Sequence, residues 1–177
     1  ASNNNDKVGL ILFSDHVEEI IPAAKGRAHI WRIIRQVLTH KPRGRATNIN
    51  AAMETLLRVC KRRSMCFLVS DFWAQGYAHH LRMASRRHEL VCVHTYDPAE
   101  STLADCGLIE MIDAKTDERI MLDTSSKKTR EAFALAVNKH RSNLQKFLRR
   151  SDITSFSVST AGGVVSPLVR FLHDSSR

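Results

Sequence analysis

Unbroken apolar runs alternate with amphipathic segments of helical period along this chain. Continuous apolar runs are typical of strands that are buried on both faces. They predict strands at Val8 to Phe13, Met65 to Val69, Leu90 to His94 and Ile153 to Val158. Val17 to Ile21 is predicted to be a short partner strand that ends at Pro22. Strands that alternate with helices predict a layered α/β domain with a mostly parallel sheet.

Apolar residues at helical spacing predict the first two helices. The apolar face of the first helix is formed by Ile30, Ile33, Ile34, Val37 and Leu38. The second helix has the clearest stripe, formed by Ile49, Ala52, Met53, Leu56, Leu57 and Cys60. Thr47 or Asn48 is placed to cap this second helix.

The second half of the chain predicts further helices and a β-hairpin. Helices are expected over His79 to Arg86 and over Lys127 to Leu148. The longer helix is expected to turn inward Phe133, Val137, Leu144 and Leu148. The hairpin is expected to join Leu108 to Ile112 with Arg119 to Leu122 through Lys115 to Asp117. A short helix after Gly163 is expected to carry Leu168, Phe171 and Leu172.

Composition places the chain among folded proteins of the cytoplasm. The 177 residues are 43% apolar and 25% charged, which excludes a disordered tail and suits one domain over residues 1–177. No apolar run reaches the roughly 18–20 residues that span a bilayer, although the parent protein could carry membrane helices upstream. The cysteines stand singly, which favours reduced thiols over a disulfide framework or a zinc site.

Polar residues follow the predicted strands where a parallel sheet collects its ligands. They are Ser14 and Asp15, Ser70 and Asp71, Tyr96 and Asp97, with the loop Gly44 to Thr47 beside them. Hydroxyl and carboxylate oxygens at one edge suit a hard cation such as Mg²⁺. The alternative is that Asp71 and Asp97 only cap turns or helices.

Three short motifs stand in a characteristic order and spacing. They are Asn5-Asp6-Lys7-Val8-Gly9-Leu10 with Phe13, Gly44-Arg45-Ala46-Thr47-Asn48-Ile49, and Ser70-Asp71-Phe72. They resemble the second strand, the threonine loop and the metal-site aspartate of von Willebrand factor type A domains. The stretch from Arg86 to Pro98, with the hairpin, resembles a bacterial branch catalogued as domain of unknown function number fifty-eight.

This resemblance implies a three-layer, Rossmann-like von Willebrand factor type A fold with an added β-hairpin. It also implies a metal-ion-dependent adhesion site whose Mg²⁺ or Mn²⁺ ligands include Thr47 and Asp71. The family's Asp-x-Ser-x-Ser motif is absent, and Asp123-Thr124-Ser125-Ser126 has the wrong spacing and place. Metal binding by this chain is therefore expected to be weak or absent.

The missing motif would precede Asp6, so the chain is interpreted as an N-terminally truncated fragment that lacks the first, central strand and its helix. Without that strand, the strands at Val8 to Phe13 and Met65 to Val69 would each present an unpaired edge. The hypothesis is that direct pairing, swapping or self-association of the fragment closes the gap.

Basic residues are grouped where helices are expected to end. Lys plus Arg number 27 against 18 Asp plus Glu, a net charge of +9. The groups are Lys61-Arg62-Arg63, Arg86-Arg87-His88 and Arg149-Arg150. Compensation of helix dipoles is the simplest explanation. A docking surface for an acidic partner, with Arg62, Arg63, Arg86 and Arg87 as contacts, is the first alternative. A nucleic-acid-binding module is the second, although aromatic residues are only 6% and none interleaves these groups.

No enzyme signature accompanies these features. The chain lacks a dinucleotide-binding glycine motif, a Walker A loop, a nucleophile elbow and an H-E-x-x-H motif. We expect a non-catalytic domain with a protein partner and no small-molecule substrate. Members of the family that it resembles often lie beside MoxR-type AAA+ ATPases, so the resemblance implies an adaptor or co-chaperone role with such an ATPase as the partner.

Overall fold

The computed structural model describes residues 6–112, 118–163, 168–169 and 171. The chain divides into two compact units, each described by itself below. The first contains Ala1–Lys61 and Ala74–Ala84, and the second contains Arg62–Trp73 and Ser85–Arg177. A single domain over residues 1–177 stays a prediction.

The regular elements alternate in the way that the sequence pattern predicts. In chain order they are β1 (Val8–Phe13), β2 (Val17–Ala24), α1 (Arg27–Thr39), α2 (Ile49–Val59), β3 (Met65–Ser70), α3 (Ala78–Arg87), β4 (Glu89–Tyr96), β5 (Leu108–Ile112), β6 (Arg119–Asp123), α4 (Lys127–Arg150) and β7 (Thr154–Ser159). The hairpin turn predicted at Lys115 to Asp117 and the predicted helical residue Leu172 lie outside the described residues.

In the first unit, β1 and β2 form an antiparallel pair that α1 and α2 contact. The prediction that Pro22 ends β2 is wrong, because the strand continues to Ala24, which pairs with Val8. Proline lacks an amide hydrogen and is tolerated at a sheet edge, where no neighbouring strand needs that donor. The register of the β1–β2 pair shifts between Val8 and Leu10.

The two helices of this unit differ in how far their apolar faces are covered. In α2, Ile49, Ala52, Met53 and Leu56 are buried, as the stripe predicts. Asn48 is the residue that caps α2, because its side chain accepts a hydrogen bond from the Ala51 amide. In α1 no residue is buried, and Leu38 is 79% exposed. Periodicity identifies the apolar face of a helix, but covering that face needs a partner element.

In the second unit, β3, β4 and β7 form a parallel sheet in the order β3-β4-β7. Strand β4 lies between its two neighbours, and Leu90 to His94 are buried. Val137, Leu144 and Leu148 of α4 are buried as predicted, whereas Phe133 is only half-buried. Strands β5 and β6 form the predicted antiparallel hairpin.

The mixed α/β class is confirmed, and the three-layer, Rossmann-like architecture with one mostly parallel sheet stays a prediction. In the described residues the strands belong to a parallel three-strand sheet and two antiparallel pairs. The hypothesis that direct pairing, swapping or self-association covers the free edges of β1 and β3 stays a prediction.

Strand β3 is less covered than its unbroken apolar sequence predicts. Only Leu68 is buried, and Met65, Phe67 and Val69 are 45–56% exposed. In the described sheet β3 pairs only with β4 and is therefore an edge strand, with alternate side chains on opposite faces.

The cysteines contain no disulfide, and all four lie within the described residues. Burial in β4 raises the pKa of the Cys92 thiol to about 12. A buried, protonated thiol is a structural residue and not a nucleophile.

Candidate functional site

The loop between α1 and α2 is fastened to the end of β1 in the first unit. The backbone amide of Asn48 donates a 2.6 Å hydrogen bond to the backbone carbonyl of Ser14. The Glu18 carboxylate, at the start of β2, accepts hydrogen bonds from the backbone amides of Arg43 and Gly44 at 2.9 and 3.2 Å. His40 Nε2 lies 2.8 Å from the same carboxylate. The loop that carries Thr47 is therefore anchored on both sides.

Glu18 is an ionised anchor that sequence reasoning missed. Its side chain is 2% exposed. A hydrogen bond from the Ser14 hydroxyl, followed by those from Gly44, His40 and Arg43, lowers the pKa of Glu18 to about 2 against the opposing effect of burial. Hydrogen bonds to the charged form outweigh its desolvation.

The Glu18 network predicts a loss of stability in acid. The folded-state pKa of about 2 lies below the ordinary value of 4.5, so the ionised form stabilises the folded chain above pH 4.5 and this stability disappears as the pH falls towards 2. We expect Glu18→Gln to lower the thermal unfolding midpoint at pH 7, with the gap to wild type closing between pH 4.5 and 2. Glu131→Gln, which removes an exposed carboxylate, is the control. A gap that is constant with pH would contradict this assignment.

Gly44 lets the loop approach the residues that follow β1. A Cβ atom at this position would lie 2.6 Å from Cγ of Asp15 and closer still to the Asp15 Oδ1 and Ser14 Oγ atoms. Ser14 is buried, Asp15 is exposed and Thr47 is half-buried. Ser14, Asp15 and the loop with Thr47 are thus brought to one end of β1.

Asp71 follows β3 in the second unit and organises a tight turn. Its Oδ1 atom accepts a 3.2 Å hydrogen bond from the Trp73 amide. The Ser70 hydroxyl oxygen accepts one from the Phe72 amide at 3.1 Å. Phe72 has a positive φ of 59° and a fully buried side chain. The turn leaves the Asp71 side chain exposed at the carboxyl end of the strand.

A cleft lies beside Asp71 at the carboxyl ends of β3 and β4. It encloses about 310 Å³ of space that is partly open to solvent. Its lining residues are Asp71, Trp73, His94, Thr95, Tyr96, Asp97, Glu100, Val137, His140 and Arg141. The predicted gathering of Asp71, Tyr96 and Asp97 at one strand edge is therefore found in this unit.

Aromatic and cationic groups stack along the cleft. The Trp73 and His140 rings are parallel, with centroids 3.9 Å apart. The Arg141 guanidinium lies 4.1 Å from the centre of the Tyr96 ring and donates a 2.9 Å hydrogen bond to the Ser101 hydroxyl. These contacts hold a cation and flat rings in the cleft that Asp71 also lines.

The two histidines of the cleft favour their uncharged forms. Burial lowers the pKa of His94, and the charges on Arg141 and His140 lower it further. Burial also lowers the pKa of His140, opposed by a hydrogen bond to the Asp71 carbonyl and by the Asp71 charge. Neither histidine is therefore expected to add positive charge to the cleft near pH 7.

Asp71 and Asp97 each use one carboxylate oxygen to cap a turn, as the capping alternative predicts. Asp97 caps a short 3₁₀ turn at Pro98–Ser101, with its Oδ1 atom accepting from the Ala99 amide at 2.9 Å. Asp71 makes the equivalent bond to Trp73. A carboxylate has a second oxygen, so capping and ligand binding are compatible at both positions.

Thr47 and Asp71 belong to different units, and their joint role as metal ligands stays a prediction. Hydroxyl and carboxylate oxygens are donors of the kind that Mg²⁺ or Mn²⁺ prefers. Two such donors are fewer than a cation needs. Across residues 6–112, 118–163, 168–169 and 171, no three His, Cys, Asp or Glu side chains gather so as to hold a metal ion.

Sequence reasoning missed several residues of the cleft, among them Thr95, Glu100, Trp73, His94, His140 and Arg141. A signal existed for the last two. They lie one helical turn from the buried Val137 and Leu144, so they share the inward face of α4. No comparable signal marked His94, because an apolar run predicts a strand but does not show which residue at its end faces a cleft.

The matching family model covers most of the chain. Residues 1–143 match the family described as Protein of unknown function DUF58. The chain belongs to this family.

Curated relatives of this DUF58 chain come from mycobacteria. The uncharacterized protein Mb1516 of Mycobacterium bovis is 25% identical over 99% of the chain and 56% of its own length. The chain thus spans about half the length of that relative. The uncharacterized protein MAV169 of Mycobacterium avium is 26% identical over 89% of the chain and 94% of its own length.

Two solved structures share the fold of this DUF58 chain. The conserved hypothetical protein BatB from Bacteroides thetaiotaomicron has a TM-score of 0.51 and 13% identity, covering 97% of the chain and 79% of BatB. An aerotolerance-related membrane protein from Bacteroides fragilis has a TM-score of 0.53 and 16% identity, covering 88% of the chain and 73% of that protein. In the described part of this chain, no helix combines the length and apolar character needed to cross a bilayer.

Proposed function

We propose that this chain forms most of a von Willebrand factor type A-like domain that binds a partner protein and does not catalyse a reaction. The observation that supports this best is the fastening of the Gly44-to-Thr47 loop against the end of β1, through the Ser14 carbonyl and the Glu18 carboxylate. A threonine loop held at a strand end is what the resemblance to that family requires. Asp71 at the end of β3 adds an exposed carboxylate.

In this proposal, Thr47 and Asp71 supply two oxygen ligands to Mg²⁺ or Mn²⁺ in the complete protein. The hydroxyl and the carboxylate fit a hard cation in kind but not in number. The other ligands are water, an Asp-x-Ser-x-Ser segment outside these 177 residues, and a carboxylate of the partner. A cation with an open position couples its own binding to the docking of that carboxylate.

The partner in this proposal is a MoxR-type AAA+ ATPase in the cytoplasm, for which the domain acts as an adaptor or co-chaperone. Reduced cysteines such as Cys92 support the compartment. The non-catalytic part of the proposal is supported by the contact between His94 Nδ1 and the Ser157 hydroxyl, which at 3.4 Å is long for an activated serine.

The test is binding of the MoxR-type ATPase from the same cells to the complete protein, with Mg²⁺ present. We expect Thr47→Ala and Asp71→Ala each to weaken binding at least about tenfold, the effect of losing roughly 1.4 kcal/mol. EDTA should release the complex, and added Mg²⁺ or Mn²⁺ should restore it.

Matched controls separate ligand loss from general damage. Thr39→Ala removes a hydroxyl at the end of α1, and Asp6→Ala removes an exposed carboxylate before β1. Both should bind as wild type. Binding that persists in EDTA and in both ligand variants would rule the proposal out.

A further inference from the structure

We propose that six arginines at the amino ends of β3, β4 and β7 form a docking surface for a short acidic segment of a partner protein. This arginine edge contains Arg62, Arg63, Arg86, Arg87, Arg149 and Arg150, all exposed and all in the second unit. It does not depend on the metal site proposed above.

Each of the three pairs comes shortly before the amino end of one strand of the parallel sheet. Met65 pairs with Glu89, and Arg63 stands as far before Met65 as Arg87 stands before Glu89. Val91 pairs with Thr154, and Arg87 stands as far before Val91 in the sequence as Arg150 stands before Thr154. A 3.0 Å hydrogen bond from the Glu89 amide to the Ser64 carbonyl extends the β3–β4 alignment towards the arginines. Because the three strands are parallel neighbours, all three pairs lead into the same end of the sheet, here called the arginine edge.

Helix-dipole compensation accounts for only two of the three pairs. Arg86 and Arg87 lie in the last turn of α3, and Arg149 and Arg150 lie in the last turn of α4. Helix α2 ends at Val59, so Arg62 and Arg63 lie beyond it. The dipole effect fades within the last turn of a helix. The prediction that all three basic groups end helices is therefore wrong for Arg62 and Arg63.

The edge retains positive charge after its local neighbours are counted. Two helix ends contribute about half a negative charge each. Glu89 and Asp152 stand beside the arginines and contribute one each. Roughly three positive charges remain on six arginines. Within the described residues, no carboxylate forms an ion pair with Arg62, Arg63, Arg86, Arg149 or Arg150.

The size and charge of the edge fit an acidic peptide segment. Neighbouring strands are about 4.8 Å apart, so β3 and β7 are about 10 Å apart. An extended peptide covers that distance with about three residues. Three or four carboxylates would match the excess charge, and guanidinium groups bind carboxylates in a bidentate way.

Nucleic acid fits this edge less well. Duplex sites commonly use about 6–10 phosphate contacts, roughly twice the excess charge found here. Single strands need aromatic platforms on which bases stack. Trp73, the tryptophan of this unit, follows the opposite, carboxyl end of β3.

The test measures binding of a fluorescent peptide with four consecutive glutamates to the 177-residue chain by fluorescence anisotropy at 50 mM and 150 mM salt. Arg62→Gln/Arg63→Gln and Arg149→Gln/Arg150→Gln should each weaken binding roughly tenfold. Arg32→Gln/Arg35→Gln removes the same charge from the exposed side of α1 and should change binding less than about twofold. Circular dichroism confirms that each variant is folded.

The outcomes decide between the alternatives. Selective loss in the two edge variants, unchanged by EDTA, supports the proposal and separates it from the metal site. Equal loss in the Arg32/Arg35 control, or no binding at 50 mM salt, overturns it. Tighter binding of an oligothymidine or a DNA duplex than of the peptide, lost in the same edge variants, overturns the acidic-segment assignment and makes the edge a nucleic-acid site.

Discussion

Phe72→Ala is expected to lower the free energy of unfolding by about 3–5 kcal/mol, the usual cost of removing a buried aromatic ring. The Phe72 side chain is fully buried, in the turn that presents Asp71. Its ring centroid lies 6.3 Å from that of His94, so the ring also packs beside the cleft. Chemical denaturation followed by circular dichroism measures the change.

The backbone of Phe72 supplies an unusual control. Its φ of 59° is in the left-handed region that disfavours every residue with a Cβ. Phe72→Gly should therefore be more stable than Phe72→Ala by about 1 kcal/mol, the reverse of the usual order. Phe72→Leu should retain most of the packing. A cost below about 1 kcal/mol for Phe72→Ala would contradict the role of this ring.

Gly44→Ala is expected to destabilise the chain by about 1–3 kcal/mol, the range found for overpacked sites. The added Cβ would lie too close to Ser14 and Asp15, and Ser14 is buried and has little room to move. The loop with Thr47 should shift away from β1. Thermal unfolding measures the loss, and the Glu18 acid transition should weaken in the same variant.

Two further variants make this prediction specific. A Cβ at Gly163 meets nothing within 4 Å, so Gly163→Ala should be nearly neutral. Asp15→Ala removes one of the groups that a Cβ at Gly44 would strike. Part of the loss in Gly44→Ala should therefore disappear in the double variant. Strictly additive effects of Gly44→Ala and Asp15→Ala would show that the close approach is not the cause.

Local pattern was sufficient for the elements themselves. The α2 stripe from Ile49 to Leu56 and the β5–β6 hairpin follow from the residues that share one face. Two or three helical turns or strands are enough to define such a face. The choice between Thr47 and Asn48 as the cap of α2 needed geometry, because either side chain has an oxygen to offer.

The pattern of apolar residues could not show whether another element covers an apolar face. The Met65-to-Val69 run predicts a strand buried on both faces, yet β3 pairs only with β4 in the described sheet and exposes Phe67. Helix α1 has a clear apolar face and no buried residue. Burial depends on a second element, which the sequence of the first does not contain.

The sequence by itself determined the α/β class, the order of its elements, the threonine loop and the arginine pairs. Each of these features depends on neighbouring residues or on residues that recur every two or about four positions. Only the tertiary structure decided that Glu18 anchors the loop of Gly44, that His140 and Trp73 stack beside Asp71, and that β3, β4 and β7 are parallel neighbours, so that the arginine pairs lead into one end of the sheet. Those contacts join residues far apart in the chain, and only folding sets the distances between such residues.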